Sequence, residues 1–470
     1  MENVGLHDPE ELAFTVVFPL PYRVLVLTGL GILGWATNLH GLSLYGIDAT
    51  TALGLRHNPQ NIYASLPAQR SIGFRQFSDL SMTYDTLYRL FSAYFLCCLT
   101  SWLCFRYATG GQIALLDAYS YIPGMTALAF IAALVCPYNI LFKSDRDKFL
   151  HALKRCCFSP MDSPVYFADV VLADVFTSFA KVLGDAWIAL CMVLPGNSLL
   201  FTPNQSDWHR WILPTVMSVP YIVRFKQCLS EYSSPSNNSK RPLYNALKYA
   251  TAFPVLYLST MQPLVVAQLM REKGEKVVQQ PWHGEHQLFR LWLLATFINS
   301  VYSFWWDVTN DWGMGLLRVE PTEEVRNQPP RQLVLPQLHT SGSLLSSASS
   351  STSSLQLSGD ADADLGKPKI PIRGLRPTLY YPTWTYPLLI GVNFALRLIW
   401  LVKLSSHVHL QSDGTIATFT FEVAEVVRRW LWVFFRVEWE AIRKARERGS
   451  WSRVEEVGDA EFEMASSPSS

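Results

Sequence analysis

The sequence predicts an all-α fold, a polytopic membrane helix bundle of nine or ten transmembrane helices. Three observations carry that prediction. Apolar runs of the roughly 20 residues that span a bilayer recur along most of the chain. Charged residues make up only 16% of it, against a usual ~25% in soluble domains. Aromatics reach 13%, with 16 Trp, and Trp and Tyr favour membrane–water interfaces. The net charge of +1 makes no general case for a nucleic-acid partner.

A short tail, 1–20, leads into the N-terminal transmembrane region, 21–160. The first twenty residues lack a basic n-region and a small-residue cleavage site, so no removable signal peptide is evident. The first span, Tyr22–Ile47, then acts as its own insertion signal. Spans two and three are expected at Leu87–Tyr107 and Tyr119–Phe142, the latter kinked or bounded at Pro123-Gly124. The basic, amphipathic stretch Lys143–Cys157 reads as an interfacial helix. Its five Lys/Arg put it on the cytosolic side by the positive-inside rule.

The region 161–317 holds four more expected spans, Val165–Leu194, Trp211–Tyr232, Leu243–Leu269 and Phe289–Trp312. From 318 to 376 the chain turns Ser-rich and polar, which reads as a disordered cytosolic linker open to phosphorylation. Two final spans, Trp384–Leu404 and Phe419–Glu440, occupy 377–442. A tail, 443–470, begins basic and is expected in the cytosol. Counting back from these anchors puts Gly196–Arg210 on the luminal or extracellular side. The eight cysteines include no C-x-x-C pair and read as packed free thiols, with palmitoylation at Cys156-Cys157 a weaker alternative.

Function is most legible in the ionisable residues inside the spans. In FTFEVAEVVRRWLWVFFRVEWE (419–440), Glu422, Glu425, Arg429, Trp432 and Arg436 share one helical stripe, with Arg428 at its edge. A charge at mid-bilayer costs roughly 2.5–3.5 kcal/mol on insertion scales. Arg428 and Arg429 are therefore expected to face a polar interior. Glu425, one turn before Arg429, supplies supporting charge. Asp174, Arg224, Lys248, Asp307, Asp311 and Arg397 sit on other spans. End-of-span snorkelling and structural clasping explain such residues singly, and that reading is kept for Lys181, Lys226 and Arg436. For the whole set, a basic interior that replaces the hydration of a small anion is the more economical reading.

Asp307 and Asp311, at i and i+4, also fit a Mg²⁺ pair of a lipid-linked phosphotransferase. No second acidic motif, Gly-rich phosphate loop or Ser/His/Asp signature accompanies them. An enzyme is thus the weaker reading, and no catalytic residue, metal site or cofactor is assigned.

Five segments, in order, carry a family resemblance: YFADVVLADVFTSFAKVLGD, VPYIVRFKQCLSEY, NALKYATAF, WWDVTNDWG and EVVRRWLWVFFRVEWE. Over Val165–Glu440 they resemble the EXS domain of phosphate exporters of the xenotropic and polytropic retrovirus receptor type. The Golgi ER-retention-defective proteins share that domain. The resemblance implies a phosphate path lined by Asp174, Thr177, Arg224, Lys248, Asp307, Asp311, Arg397, Trp400, Arg428 and Arg429. Thr177 stands where the exporters usually have Asn, and Val175 where they have Gln, which leaves finer coordination open. The exporters carry an N-terminal SPX sensor, for which the twenty or so residues before the first span leave no room. The chain is accordingly expected to resemble the ER-retention-defective branch. That branch implies return of inorganic phosphate from the Golgi lumen to the cytosol, in support of glycosylation and retention of luminal proteins. The ER or plasma membrane is the alternative location. The implied partners are phosphate, the lipid bilayer and a second copy in a homodimer, though no dimer motif is legible. The rival reading is a sorting or scaffold protein whose tails and linker recruit Golgi coat or retrieval factors.

Overall fold

The computed structural model describes residues 9–54, 71–194, 196–200, 211–235, 237–261, 287–316, 374–376, 378–398 and 415–466; within these, side chains are described except at 9–11, 71–83, 415 and 447–466. The chain divides into two units, Met1–Gly313 with Thr378–Ser470, and Met314–Pro377. In the smaller unit the described contact is a backbone bond from Gly315 N to Gly374 O, 3.0 Å. The expected Ser-rich linker lies almost wholly outside the described residues. So do Trp400 and the C-terminal parts of the sixth and eighth expected spans.

The larger unit is all-α among the described residues, a membrane helix bundle. Its helices are α1 (Pro9–Val17), α2 (Leu20–Leu44), α3 (Ala49–Ala52), α4 (Ser71–Thr109), α5 (Ile113–Leu116), α6 (Tyr121–Val135) and α7 (Lys143–Phe158). Then follow α8 (Phe167–Ser178), α9 (Ala180–Val193), α10 (Ile212–Ser233), α11 (Arg241–Ala250) and α12 (252–261). α13 (Gln287–Trp306) runs into a π-helical turn, Asp307–Asp311, and α14 (Thr385–Arg397) and α15 (Thr415–Ser466) complete the chain. Three stretches, Leu20–Leu44, Tyr84–Thr109 and Ile113–Val135, are long and apolar enough to cross a membrane, and α8 with α9 makes a fourth if that bent pair is one span. The remaining expected spans coincide with α10 to α15, of which α11, α12 and α14 are described over 10, 10 and 13 residues.

α2 is the central post. It packs against α4, α6, α9 and α15. Two glycines bring neighbours close: a Cβ at Gly31 would lie 2.8 Å from the Phe179 ring, and one at Gly41 2.7 Å from the Phe434 ring. Small residues at helix crossings serve this purpose in bilayers, where hydrophobic burial gives no preference for helix over lipid. Polar bonds across the crossings do the rest. Tyr94 Oη donates to Leu25 O at 2.8 Å, and Trp430 Nε1 donates to Thr37 Oγ1 at 2.9 Å.

The third span is bounded rather than kinked, since α6 starts at Tyr121 and carries Pro123 in its first turn, where a missing N–H leaves no bond unmade. The fourth expected span is broken: α8 and α9 meet at Phe179 with a bend of 60°. The amphipathic stretch forms a helix, α7, that packs against α8 and α10. Arg146 on α7 donates to Tyr138 O and Ile140 O at 3.3 and 2.9 Å, and also to Ala133 O, closing carbonyls that the end of α6 leaves open. Arg155 grips Asp169 on α8 through two bonds of 2.9 and 2.7 Å. Beside it Cys156 is buried, which pushes its thiol up to about 12. α15 is a single helix of 52 residues, about 78 Å long at 1.5 Å per residue. It runs well past the end of the ninth expected span.

Candidate functional site

The expected site residues sit on five helices and one π-turn, and their side chains meet in the larger unit. On α8, Asp174 and Thr177 share the buried face because they are three residues apart. Arg224 on α10 donates through Nε to Asp174 Oδ1 at 2.9 Å and through Nη1 to Gln227 Oε1 at 2.5 Å. The hydroxyl of Tyr249 on α11 donates to the same Asp174 oxygen at 2.5 Å. The Arg224 guanidinium also lies over the Tyr249 ring, 5.0 Å from its centre.

A second knot forms around Asp307, which is fully buried. Lys248 on α11 lies 3.5 Å from Asp307 Oδ1 and 3.3 Å from Asp311 Oδ2. Arg397 on α14 donates to Asp307 Oδ2 from Nε at 3.2 Å and from Nη2 at 2.5 Å. Arg428 Nη1 approaches the same oxygen at 3.7 Å, and Arg436 Nε lies 3.9 Å from Asp311 Oδ1. Asp307 and Asp311 share a face, as their spacing predicts, but through a π-turn closed by Trp312 N to Asp307 O at 2.9 Å. Single π-turns are frequent at functional positions. Both carboxylates therefore face Lys, Arg or both, the arrangement of a charge clasp rather than of a bare acidic pair.

α15 joins the two knots. Arg428 is held by Glu425 through bonds of 2.8 and 2.5 Å. Arg429 donates from Nε to Ser178 Oγ at 2.8 Å and from Nη2 to Thr177 Oγ1 at 3.0 Å, and stacks on the Trp432 ring at 4.6 Å. Thr177 Oγ1 in turn donates to Asp174 O at 2.7 Å. Arg429 makes no ion pair with a carboxylate among the described residues, and its buried Nη1 has no hydrogen-bond partner. The buried indole N–H groups of Trp306, Trp312 and Trp432 are likewise without acceptors. Trp312, Trp432, Arg428, Asn393 and three leucines line a cleft with no room for a water molecule.

All the expected residues within the described part belong to this one network; Trp400 is not among the described residues. Sequence reasoning missed Ser178, Gln227, Tyr249 and Asn393. Asn393 donates to Asp307 Oδ2 at 3.4 Å and accepts from Arg428 at 3.5 Å. Three of the four adjoin or sit within one turn of a residue that was singled out: Ser178 follows Thr177, Tyr249 follows Lys248, and Gln227 lies three after Arg224. Asn393, four before Arg397, shares its face, a signal available from periodicity alone.

The chain is 25% identical over 435 residues to Protein ERD1 homolog 1 of Schizosaccharomyces pombe, covering 91% of this chain and 92% of that protein. It is 26% identical over 343 residues to Protein ERD1 homolog 2 of the same yeast, covering 72% of each. It is also 25% identical over 336 residues to Phosphate transporter PHO1-1 of Oryza sativa subsp. japonica, covering 69% of this chain but 32% of that longer protein. A profile of the EXS family matches residues 18–442, a stretch that contains both charge knots and nearly every described helix, and the chain belongs to the EXS family.

Proposed function

We propose that this protein carries inorganic phosphate across its membrane through the bundle formed by α8 to α15. The observation that carries the reading is Arg429, a buried cation with no carboxylate in ion-pair reach among the described residues and an unfilled Nη1, stacked on Trp432, whose buried indole N–H also lacks an acceptor. A phosphate oxyanion supplies the acceptors those donors want, and a planar guanidinium fork suits it. Arg224, Lys248, Arg397 and Arg428 then form the surrounding basic wall. Asp174, Asp307, Asp311 and Glu425 hold these cations while no anion is bound, with Thr177 orienting Arg429. Relatives named as phosphate transporters favour the same substrate. The closed cleft at Arg428 and Trp432 implies that α14 and α15 part to admit the anion. We place the protein in the Golgi membrane, returning phosphate to the cytosol, on the resemblance of its motifs to the ER-retention-defective branch. The same resemblance suggests a homodimer, whereas recruitment of retrieval factors through the tails and linker belongs to the rival scaffold reading.

The test is flux of radiolabelled phosphate into proteoliposomes, with sulfate as competitor. Charge-assisted hydrogen bonds contribute about 1.5–3 kcal/mol, so Arg429→Ala should weaken phosphate binding roughly tenfold to a hundredfold. Arg429→Lys, which keeps charge but loses the fork, should fall between it and the unaltered protein. The scaffold reading replaces transport if the purified protein passes no phosphate while Arg428→Ala/Arg429→Ala still restores luminal-protein retention in cells.

A further inference from the structure

A second buried charge group lies on α15, one turn before Glu425. Glu422 and Asp185 of α9 are buried, at 6% and 4% exposure, and both turn toward Lys181, whose side chain is 42% exposed. Lys181 hydrogen-bonds Asp185, whereas its Nζ stays 3.7 Å from Glu422 Oε1. Glu422 Oε1 is thus a buried carboxyl oxygen with no hydrogen-bond donor. The carboxyl of Asp185 also stands against Glu422, and charges beyond this trio reach it only from a distance. Arg23 of α2 acts on both carboxylates electrostatically, but donates to Phe18 O at 2.8 Å and Thr15 Oγ1 at 3.4 Å. Glu425, next along the stripe, gives both oxygens to Arg428. Phe14 of α1 and Phe18 just after it pack on Phe419 at this end, and α1 has no titratable group among its described side chains. On α8, Asp174 and Asp169 are engaged by Arg224 and Arg155, and on α14 Arg397 is engaged by Asp307.

We propose that Glu422 is a proton-binding site that loads together with the anion at Arg429. A carboxyl oxygen buried without a donor is relieved when the group carries its own proton. Asp185 keeps its hydrogen bond from Lys181, and the half-exposed Lys181 marks the side from which the proton enters and leaves. The step is Glu422 carboxylate plus one proton giving the carboxylic acid, reversed on release. Glu422 and Arg429 lie seven residues apart on one stripe, about 10 Å along the helix. An anion on Arg429 adds negative charge within reach of Glu422 and favours its protonation, and by reciprocity the proton tightens anion binding. An acidic compartment then loads phosphate and a neutral one releases it. This rests on the phosphate reading above.

Full-length protein in nanodiscs tests it, with radiolabelled inorganic phosphate binding at pH 6 and pH 8. Glu422→Gln mimics the protonated state and should bind phosphate about fivefold tighter than the unaltered protein at pH 8, the low end of ordinary coupling, yet equally at pH 6. Comparison at matched pH cancels the titration of phosphate itself. In the infrared, the carbonyl stretch of a buried protonated carboxyl should be present in the unaltered protein at pH 6 and lost in the variant. An unchanged band, or identical binding at pH 8, overturns the proposal. If the unaltered protein binds no phosphate but the band disappears in Glu422→Gln, the phosphate reading fails and the proton site stands. Should Glu422→Gln not fold, Lys181→Gln replaces it: removing the cation should move the band's titration to higher pH, and an unmoved titration overturns the site.

Discussion

Arg224 and Asp174 meet at 2.9 Å with both side chains 3% exposed, so neither charge is hydrated and each depends on the other. Removing one partner of a buried pair typically costs about 3–5 kcal/mol, whereas replacing both by neutral groups can cost much less. Asp174→Asn should therefore lower stability by about that amount, and Asp174→Asn/Arg224→Gln should recover more than half of the loss. Chemical denaturation in detergent reads the cycle, and strictly additive losses would mean the pair does not act as a unit. Arg429 obeys a different rule. Its hydrogen bonds go to two hydroxyls and its face to an indole, and on the phosphate reading proposed above its guanidinium is the group that meets the anion.

At the level of elements, the junction between α13 and the chain beyond it sets the position of both Asp307 and Asp311. Two residues past the π-turn stands Gly313, whose φ of +63° suits glycine, and a Cβ there would lie 2.5 Å from the Trp439 ring. A left-handed non-glycine residue costs roughly 1–2 kcal/mol, and overpacking adds about 1–3 kcal/mol. Gly313→Ala should thus destabilise by about 2–5 kcal/mol and depress phosphate flux by moving the π-turn away from Lys248. Normal flux and an unchanged denaturation midpoint would show the close approach to be slack. α15 is anchored beyond the site as well: Glu438, fully buried, accepts from Tyr386 Oη at 2.5 Å and Tyr380 N at 2.9 Å. That latch ties the start of α14 to the helix that carries Arg428 and Arg429.

For the molecule as a whole, sidedness decides what the transport reading means. The basic α7 is expected in the cytosol by its Lys and Arg content, and Gly196–Arg210 on the opposite face. Single cysteines at Lys148→Cys and Asn197→Cys, both exposed positions, should react with a membrane-impermeant maleimide from opposite sides of sealed vesicles. Labelling from one side alone would invert the count of spans between them. The bend at Phe179 sits between these two positions, so the test also asks whether α8 and α9 together cross the bilayer.

By itself the sequence determined the all-α membrane class, the order of the helices and a set of charged residues that the fold brings together. Each of those follows from local quantities: length of apolar runs, helical spacing and the cost of charge in hydrocarbon. The i, i+4 relation already put Asp307 beside Asp311, but it also paired Glu425 with Arg429, whereas in the structure Glu425 gives both oxygens to Arg428, one residue earlier. Pairings between distant segments were decided only by the tertiary structure. Nothing local tells that Asp174 belongs to Arg224 while Asp307 takes Lys248, Arg397 and Arg428, because several matchings of these charges neutralise the interior equally well. The break at Phe179 and the π-turn at Asp307 are set by packing against other helices rather than by propensity. Packing also decided which cation is left over: Arg429 meets hydroxyls and an indole where its neighbour Arg428 meets carboxylates, a difference of one residue on the same helix.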